Sequence, residues 1–343
     1  MVSSTKISNI LIAESFSCQR DILLNLKNSW LSPYIKIFTT HSLARTEILS
    51  VADHVLDLTP KKENAVTWML EQCLKNKIDL LFIGKNGARF EAHRHAFEEH
   101  QIQLITGCNT LSNHHLIDDK YQFTQLCLAQ NLPAIPAYYF ESVEQFTQSY
   151  QQAEQQHPED ILCAKPVHGV FAHGFIRFKT DANFHGLFRI PVEVTFDDFC
   201  DQYSRLARPP KYILMPYLTG QECSVDIACD HGEIISLATR IKEDYRQNIL
   251  LNGPCDELCH QLVKLFRLDG LINIQFKQNQ HGIWHILEIN ARPAGGFSYS
   301  IHTGQNLIAD LIAKKLNLIA CPQSHYIDNI YTYPFTSSIS DNP

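Results

Sequence analysis

In the first hundred residues, short apolar runs alternate with amphipathic stretches. No other feature of the sequence constrains the fold as strongly. NILIAES reads as a strand and 18–30 as a helix, YIKIFTT as a strand and HVLDL as a short strand. Residues 61–76 predict a helix, IDLLFIG a strand, 88–100 a helix and IQLITG a further strand. Strands joined through helices pair in parallel, and the helices then cover both faces of the sheet. Such a sheet binds ligands at the carboxyl ends of its strands. The dinucleotide fingerprint Gly-x-Gly-x-x-Gly does not follow the first strand, which runs into Glu14-Ser15-Phe16. GKNGAR (84–89) has the character of a phosphate loop without being a Walker A motif, and a plain strand-to-helix turn is the stronger reading.

From about residue 113 the pattern changes. Asp118, Asp119 and Lys120 precede a helical stretch, 121–130, with Asp118 placed to cap it. The two prolines of NLPAIPAYYF predict an exposed crossing between units. A Gln-rich helix (143–156) follows, and then ILCAKPVHGVFAHGFIRF, which reads as strand, loop, strand. YILMPYL is a strand, and ECSVDIACDHGEIISLATRIK a hairpin turning at Asp230-His231-Gly232. Residues 254–268 predict a helix, LINIQFK and IWHILEIN a second hairpin, and 303–317 an amphipathic helix; the last 20 or so look irregular.

Composition narrows the classes. A chain of 343 residues suggests two or three compact units, and 45% hydrophobic residues suffice for a sizeable core. A net charge of -7 supplies no basic field for nucleic acid. No apolar stretch reaches the roughly 20 residues of a membrane span, and the N-terminus lacks a basic region followed by a signal-type apolar core. Eleven cysteines, an odd count without a Cys-x-x-Cys pair, point to reduced, buried thiols in a cytoplasmic protein. Cys255 and Cys259, four apart, share a helix face. His93 and His95 fall on different faces of a helix and His114-His115 in a loop, so neither pair reads as a metal site.

The second hairpin carries the chemistry. It ends in HILEINARPAGGFSYS, residues 285–300. Side chains alternate along a strand, so Trp284, Ile286, Glu288 and Asn290 point one way, with Glu288 and Asn290 roughly 6–7 Å apart. On the partner strand Gln275 shares a face with Asn273 and Lys277, and a turn near 278–282 can bring Gln275 beside Glu288. One carboxylate and two amide oxygens are hard donors, suited to Mg²⁺, which keeps waters and substrate phosphates as the rest of its shell. Arg292, just past the strand, is placed to meet a transferring phosphoryl group with its planar fork. The alternative is a polar strand edge facing water.

These motifs resemble those of the ATP-grasp superfamily, which includes biotin carboxylase, the carbamoyl phosphate synthetase large subunit and D-alanine–D-alanine ligase. GLINIQFK…ILEINARPAGG is similar to its metal-binding end. The resemblance implies an α/β chain, α+β in its later part. A Rossmann-like pre-ATP-grasp domain would span 1–112 and an ATP-grasp domain 113–330, with a mobile lid at about 133–214 and an irregular tail at 331–343. It implies that Lys120 and Lys165 bind ATP phosphates beneath a loop carrying His168 and Gly169. Met215 and Tyr217 would sit where the family holds adenine, and Glu222 where it binds ribose hydroxyls. Gln275, Glu288 and Asn290 would hold one or two Mg²⁺ ions, or Mn²⁺, in the Gln/Glu/Asn form of carbamoyl phosphate synthetases. Arg292 would support the γ-phosphoryl group. Arg240, the first of a basic cluster with Lys242 and Arg246, would receive an acidic substrate, with Ser298 and Tyr299 lining the same pocket.

The activity implied is a carbon–nitrogen ligase that activates a carboxylate as an acyl phosphate for attack by an amine. Its partners would be two small molecules, with neither nucleic acid nor membrane; many relatives pair as homodimers. Two departures stand out. The covering loop KPVHGVFAHGF holds only Gly169 and Gly174 beside His168 and His173, and the hinge near Met215-Pro216 lacks the family's usual acidic residue. The whole pattern is similar to a bacterial subgroup encoded with tellurium-resistance-type genes. Two rival readings are a nucleotide-binding scaffold without turnover and activation of bicarbonate or a carbamate.

Overall fold

The computed structural model describes residues 7–60, 64–169, 173–188, 191–318, 325–334 and 338. The chain divides into two compact units. The first combines Met1–His114, Glu222–Gln275 and Ile289–Pro343; the second combines His115–Gln221 and Phe276–Glu288.

The first unit begins with β1 (Ser8–Ile12), α1 (Gln19–Lys27), β2 (Ile35–Thr39), α2 (Thr46–Leu49), β3 (His54–Val55), α3 (Ala65–Lys75) and β4 (Leu80–Phe82). Then come α4 (Gly87–Glu91), α5 (Arg94–Glu98), β5 (Gln103–Ile105) and β6 (Gly107–Cys108). The alternation produces the expected parallel sheet, in the order β3-β2-β1-β4-β5. Two details differ from the sequence reading. Residues 88–100 form two short helices, broken at His93, rather than one. Residues 61–63 of the helix expected over 61–76 lie outside the described residues, and the helix seen starts at Ala65.

In the chain's middle lie α6 (Leu111–Asp118), α7 (Lys120–Ala129), β7 (Tyr138–Phe140), α8 (Val143–Gln156), β8 (Leu162–Pro166), β9 (Ile176–Phe178), β10 (Val192–Val194), α9 (Phe196–Ser204) and β11 (Tyr212–Pro216). His114 and His115 fall in α6, not in a loop, because 111–118 continue as helix. The cap of α7 is Asp119, not Asp118: its carboxylate accepts from the Tyr121 and Gln122 N–H groups at 3.0 and 2.9 Å. Asp119 has extended backbone, as an N-cap requires, whereas Asp118 still belongs to the preceding helix. Asp119→Ala should therefore cost about 1 kcal/mol of stability, measurable by urea unfolding.

The second unit is built on the sheet β10-β9-β8-β11-β7. One face packs on an aromatic core in which Phe140 stacks on Tyr212 with centroids 5.7 Å apart, and Phe146 meets Phe199 at 4.6 Å. The stretch 132–137 is not an exposed crossing. Leu132, Ala134, Ile135 and Ala137 are buried, and Ala134 bridges to Ile286. The prolines shape the segment, but the apolar residues between them decide where it lies.

The remaining elements are β12 (Glu222–Asp230), β13 (Glu233–Glu243), β14 (Arg246–Leu250), α10 (Asp256–Leu265), β15 (Leu268–Gln278), β16 (Trp284–Asn290), α11 (Leu307–Lys315) and β17 (Ile330–Thr332). They form a seven-stranded sheet, β16-β15-β12-β13-β14-β17, with β6 added beside β15. The β12–β13 hairpin turns at His231 and Gly232, both at positive φ. The tail is not irregular at its start, since β17 pairs with β14 as an edge strand; residues 335–337 and 339–343 lie outside the described residues.

Within the first unit, both sheets share one core. Ile10, Ile12, Leu80 and Phe82 of the parallel sheet join Leu271, Phe297 and the apolar side chains of α11 in a single cluster. β6 brings the chains so close that a Cβ on Gly107 would lie 2.0 Å from the Ala291 carbonyl, and Gly107 has φ +100. Glycine is obligatory there.

The turn of the β12–β13 hairpin is pinned by Lys315, whose ammonium donates to Asp230 and Asp269 at 2.5 Å each. Asp230, His231 and Asp269 are spaced as metal ligands would be, but the lysine already supplies the cation between the two carboxylates. Burial opposes ionisation of Asp230, yet hydrogen bonds from Lys315 and His231 outweigh it and hold the carboxyl below its usual range near 3.8. Its contribution to stability is then complete above about pH 4 and lost as pH falls through the lowered value. The stability difference between wild type and Asp230→Asn should narrow below about pH 4 in denaturant titrations.

Candidate functional site

The nucleotide-type residues of the second unit gather on one face of its sheet. β8 and β11 run antiparallel, with Lys165 opposite Ile213 and Cys163 opposite Met215. The alternation of side chains puts these four on one face, away from the aromatic core. There Ile135, Cys163, Val167, Ile213, Met215 and Leu218 form an apolar bed flanked by Tyr121, Phe175, Tyr217 and Leu287. Lys165 rises from this bed. Desolvation lowers the pKa of its ammonium, and Lys120 pushes the same way, while Glu288 opposes both. Two lysines and a carboxylate thus lie within electrostatic reach beside an apolar platform.

The first described part of the covering segment, up to Gly169, is tied to Lys120. The Lys120 N–H donates to the Val167 carbonyl at 3.1 Å and its ammonium to the Gly169 carbonyl at 2.8 Å. His168 is exposed, with Nδ1 3.1 Å from an Asp118 carboxylate oxygen, so it is a partner of the α6 terminus in this state. Residues 170–172 of the loop lie outside the described residues. At the hinge the Tyr217 N–H donates to Ile161 O at 2.7 Å, and Cys163 donates to Met215 O at 3.4 Å.

Tyr217 carries contacts that the sequence reading did not assign. Its ring has Phe175 stacked 6.2 Å away, and the cations of Arg177 and Lys277 lie 5.3 and 5.7 Å from its centroid. Arg177 pairs in turn with buried Glu193. Lys277 is legible only as a basic residue on the strand that ends LINIQFK.

In the first unit, Gln275 ends a buried polar chain. β12 and β13 place Ser224 opposite Arg240, and Asp226 two residues along shares that face. Arg240 is only 3% exposed. Its Nε donates to Asp226 Oδ2 at 2.5 Å, Nη1 to Gln247 at 2.9 Å and Nη2 to Ser224 Oγ at 3.1 Å. Asn273 of β15 donates to Asp226 Oδ1 at 2.8 Å and Ser224 Oγ at 2.9 Å, and Gln275 Nε2 reaches Asn273 Oδ1 at 3.4 Å. Arg240 was expected to receive an acidic substrate. The structure commits it to Asp226, and a substrate carboxylate would have to displace that buried partner. Of the two glycines of ARPAGG, Gly296 serves this network: a Cβ there would come within 2.8 Å of Arg240 Nη1. Asp226 and Asn273 were given no role, although a carboxylate between Val225 and Ile227 and an amide between Ile272 and Ile274 are an available signal.

The other expected residues are placed as follows. Lys242 pairs with Glu222 across the β12–β13 ladder, while Arg246 pairs with Glu243 and lies 3.9 Å from the Tyr331 ring centroid. Ser298 hydrogen-bonds Asp21, and Tyr299 is half-buried. Arg292 lies over the Phe16 ring at 4.7 Å. Glu288 and Asn290 are half-buried and two apart on β16, hence on one face of that strand. The unit boundary passes between them, with Gln275 and Asn290 in the first unit and Glu288 in the second.

The fold so assembled is that of the ATP-grasp enzymes. It matches N5-carboxyaminoimidazole synthetase from Staphylococcus aureus, solved with ADP, at a TM-score of 0.68 and 10% identity over 95% of this chain and 82% of that one. Biotin carboxylase from Campylobacter jejuni, in complex with β-γ-ATP, gives 0.67 and 15% over 96% and 75%. The biotin carboxylase domain dimer of Hydrogenobacter thermophilus 2-oxoglutarate carboxylase, with MgADP, ADP and bicarbonate, gives 0.64 and 14% over 94% and 73%. Residues 208–332 match a family described as ATP-grasp in the biosynthetic pathway with Ter operon. The superfamily resemblance seen in the sequence is thus borne out in fold and in motif. No curated protein matches the sequence. Among the described residues no helix is long and apolar enough to cross a membrane.

Proposed function

We propose that this protein is an ATP- and Mg²⁺-dependent ligase that activates a carboxylate as an acyl phosphate for attack by an amine. The observation that carries the reading is the trio of Lys120, Lys165 and Glu288 beside an apolar bed. Two lysines and one carboxylate leave the trio net positive, and a nucleotide polyphosphate would neutralise that charge while its base takes the bed. The enzymes of similar fold solved with ADP, an ATP analogue and MgADP lend support.

The donor set of Gln275, Glu288 and Asn290 fits Mg²⁺, being all oxygen and carrying one charge. When bound, the ion would neutralise phosphate charge as it develops on the leaving group. The chain's own residues do the rest. Lys120 and Lys165 orient the phosphates, Met215 and Tyr217 supply apolar contact for the base, and Glu222 takes ribose hydroxyls after release from Lys242. Arg292 offers its fork to the transferring phosphoryl group, and the 166–175 loop excludes water that would hydrolyse the acyl phosphate. Arg240 acts at one remove, holding Gln275 through Asp226 and Asn273.

The test is ADP release from Mg-ATP across paired carboxylates and amines, with product detected by mass spectrometry. Ligated product is expected. Tight Mg-ATP binding with no product and no ADP release across the screen would favour the scaffold reading, which His168 and Arg240, both engaged by protein carboxylates, also support. ADP release that requires bicarbonate would favour the third reading.

A further inference from the structure

The loop that leaves β1 carries a bulky side chain where a bulky side chain is costly. Phe16 has φ +29. Residues with a Cβ are uncommon at positive φ, and a large ring there is an outlier. Such strain persists only where the surrounding structure over-determines it, and it gathers at functional sites. Here the loop is held on both sides of the ring. Toward the exit of β4, a Cβ on Gly84 would lie 1.7 Å from the Oγ of Ser15, a wholly buried residue. Toward the ARPAGG segment, Cys18 Sγ donates to the Pro293 carbonyl at 4.0 Å, and a Cβ on Gly295 would come within 3.0 Å of Ser17 Oγ. The backbone of 15–18 is thus wedged between Gly84 and the 293–295 stretch.

What this wedge holds in place is an aromatic face beside two cations. The Phe16 ring is half-buried rather than part of the core. The Lys85 ammonium lies 5.5 Å from its centroid and the Arg292 guanidinium 4.7 Å. Lys85 is itself fixed, by an ion pair with Glu14 at 2.5 Å. Arg292, also half-buried, donates through Nη1 to the Pro293 carbonyl at 3.3 Å. Its long side chain has many rotamers to lose on ordering. A guanidinium stacks on an aromatic face, and its N–H donors lie in its own plane. The ring therefore attracts the charge without occupying a donor, whereas a carboxylate in the same place would take donors and offset the charge.

From the strained backbone, the wedged loop and the shared ring we infer that Phe16 is a positioning residue for Arg292, fixing the direction of the guanidinium assigned above to the transferring phosphoryl group. The ordering of Arg292 stands by itself; its use in phosphoryl transfer rests on the ligase reading. Direction matters there, because a small misplacement of a group that meets the reacting atoms is costly in rate.

The test uses the full-length chain. Phe16→Leu should lower the heteronuclear NOE of the Arg292 Nε–H, a signal assigned by its loss in Arg292→Gln. In calorimetry, Phe16→Leu should weaken binding of Mg–β,γ-imido-ATP about fivefold and leave Mg-ADP, which lacks the γ-phosphate, as in wild type. Phe16→Tyr keeps the aromatic face and should restore both readouts. A trifluorinated phenylalanine at position 16 keeps the shape but drains the negative face, and should lose both; it carries the test alone if Phe16→Leu unfolds. In an Arg292→Gln background, Phe16→Leu should cost less than about twofold. An equally ordered Arg292 in Phe16→Leu, full analogue affinity with the trifluorinated ring, or an undiminished loss in the Arg292→Gln background would each overturn the proposal. Loosening of Arg292 in Phe16→Leu, with neither nucleotide bound by wild type, would sink the ligase reading and leave the positioning role standing.

Discussion

Glu288→Gln should lose on the order of 10³-fold in turnover, the scale on which removing one preorganised charge-stabilising contact acts. The substitution keeps the shape of the side chain and an oxygen, but removes the charge from the donor set and its electrostatic influence on Lys165. β16 should remain intact, because Glu288 is half-buried and the strand is held by Ile286 and Ile289, which are buried. Turnover should therefore fall while the unfolding midpoint stays close to that of wild type. The measurement is ADP release at saturating Mg-ATP, paired with urea unfolding of the same preparation. Wild-type turnover in a folded Glu288→Gln protein would remove the carboxylate from the chemistry and take the metal assignment with it.

Asp226→Ala should destabilise the protein by about 3–5 kcal/mol, the cost of leaving a buried charge without its partner. Arg240 is almost wholly buried, and Asp226 accepts from it and from Asn273. The loss should register as a shift in urea midpoint with an unchanged slope. The double change Asp226→Leu with Arg240→Met should recover much of it, since a packed apolar pair avoids the desolvation that the ion pair offsets. A loss under about 1 kcal/mol in the single variant would mean that water or another group takes over the guanidinium, and that the network does not hold Gln275.

The residues differ in how far they could be read in advance. Glu288 and Asn290 were legible because a strand that delivers a carboxylate and an amide to one face, then breaks at Arg-Pro-Ala-Gly-Gly, has few structural uses. Lys120 and Lys165 were legible only through resemblance. One lysine in a sequence carries no geometry, and the two are 45 positions apart. Arg240 was read as the first residue of a basic cluster with Lys242 and Arg246. The β12–β13 pairing turned it inward onto Asp226, a partner fourteen residues away that no local rule connects to it. Asp118 and Asp119 both qualify as caps by type, and only the backbone, helical at one and extended at the other, chose between them. The 132–137 segment was read from its prolines and proved to be ruled by its apolar residues.

What the sequence determined by itself was the parallel sheet, the two hairpins and the shared face of Glu288 and Asn290 at the end of the second, since all of these follow from periodicities of two and about 3.6 residues acting within short spans. What only the tertiary structure decided was the pairing of distant groups. The shared core that fuses both sheets of the first unit, the Arg240–Asp226–Asn273 chain behind Gln275 and the placing of Arg292 over Phe16 all depend on contacts between segments far apart in the chain. A local pattern specifies which face a side chain takes. Which partner meets it there is settled by burial, because a charge or amide removed from water must find its complement wherever the fold provides one.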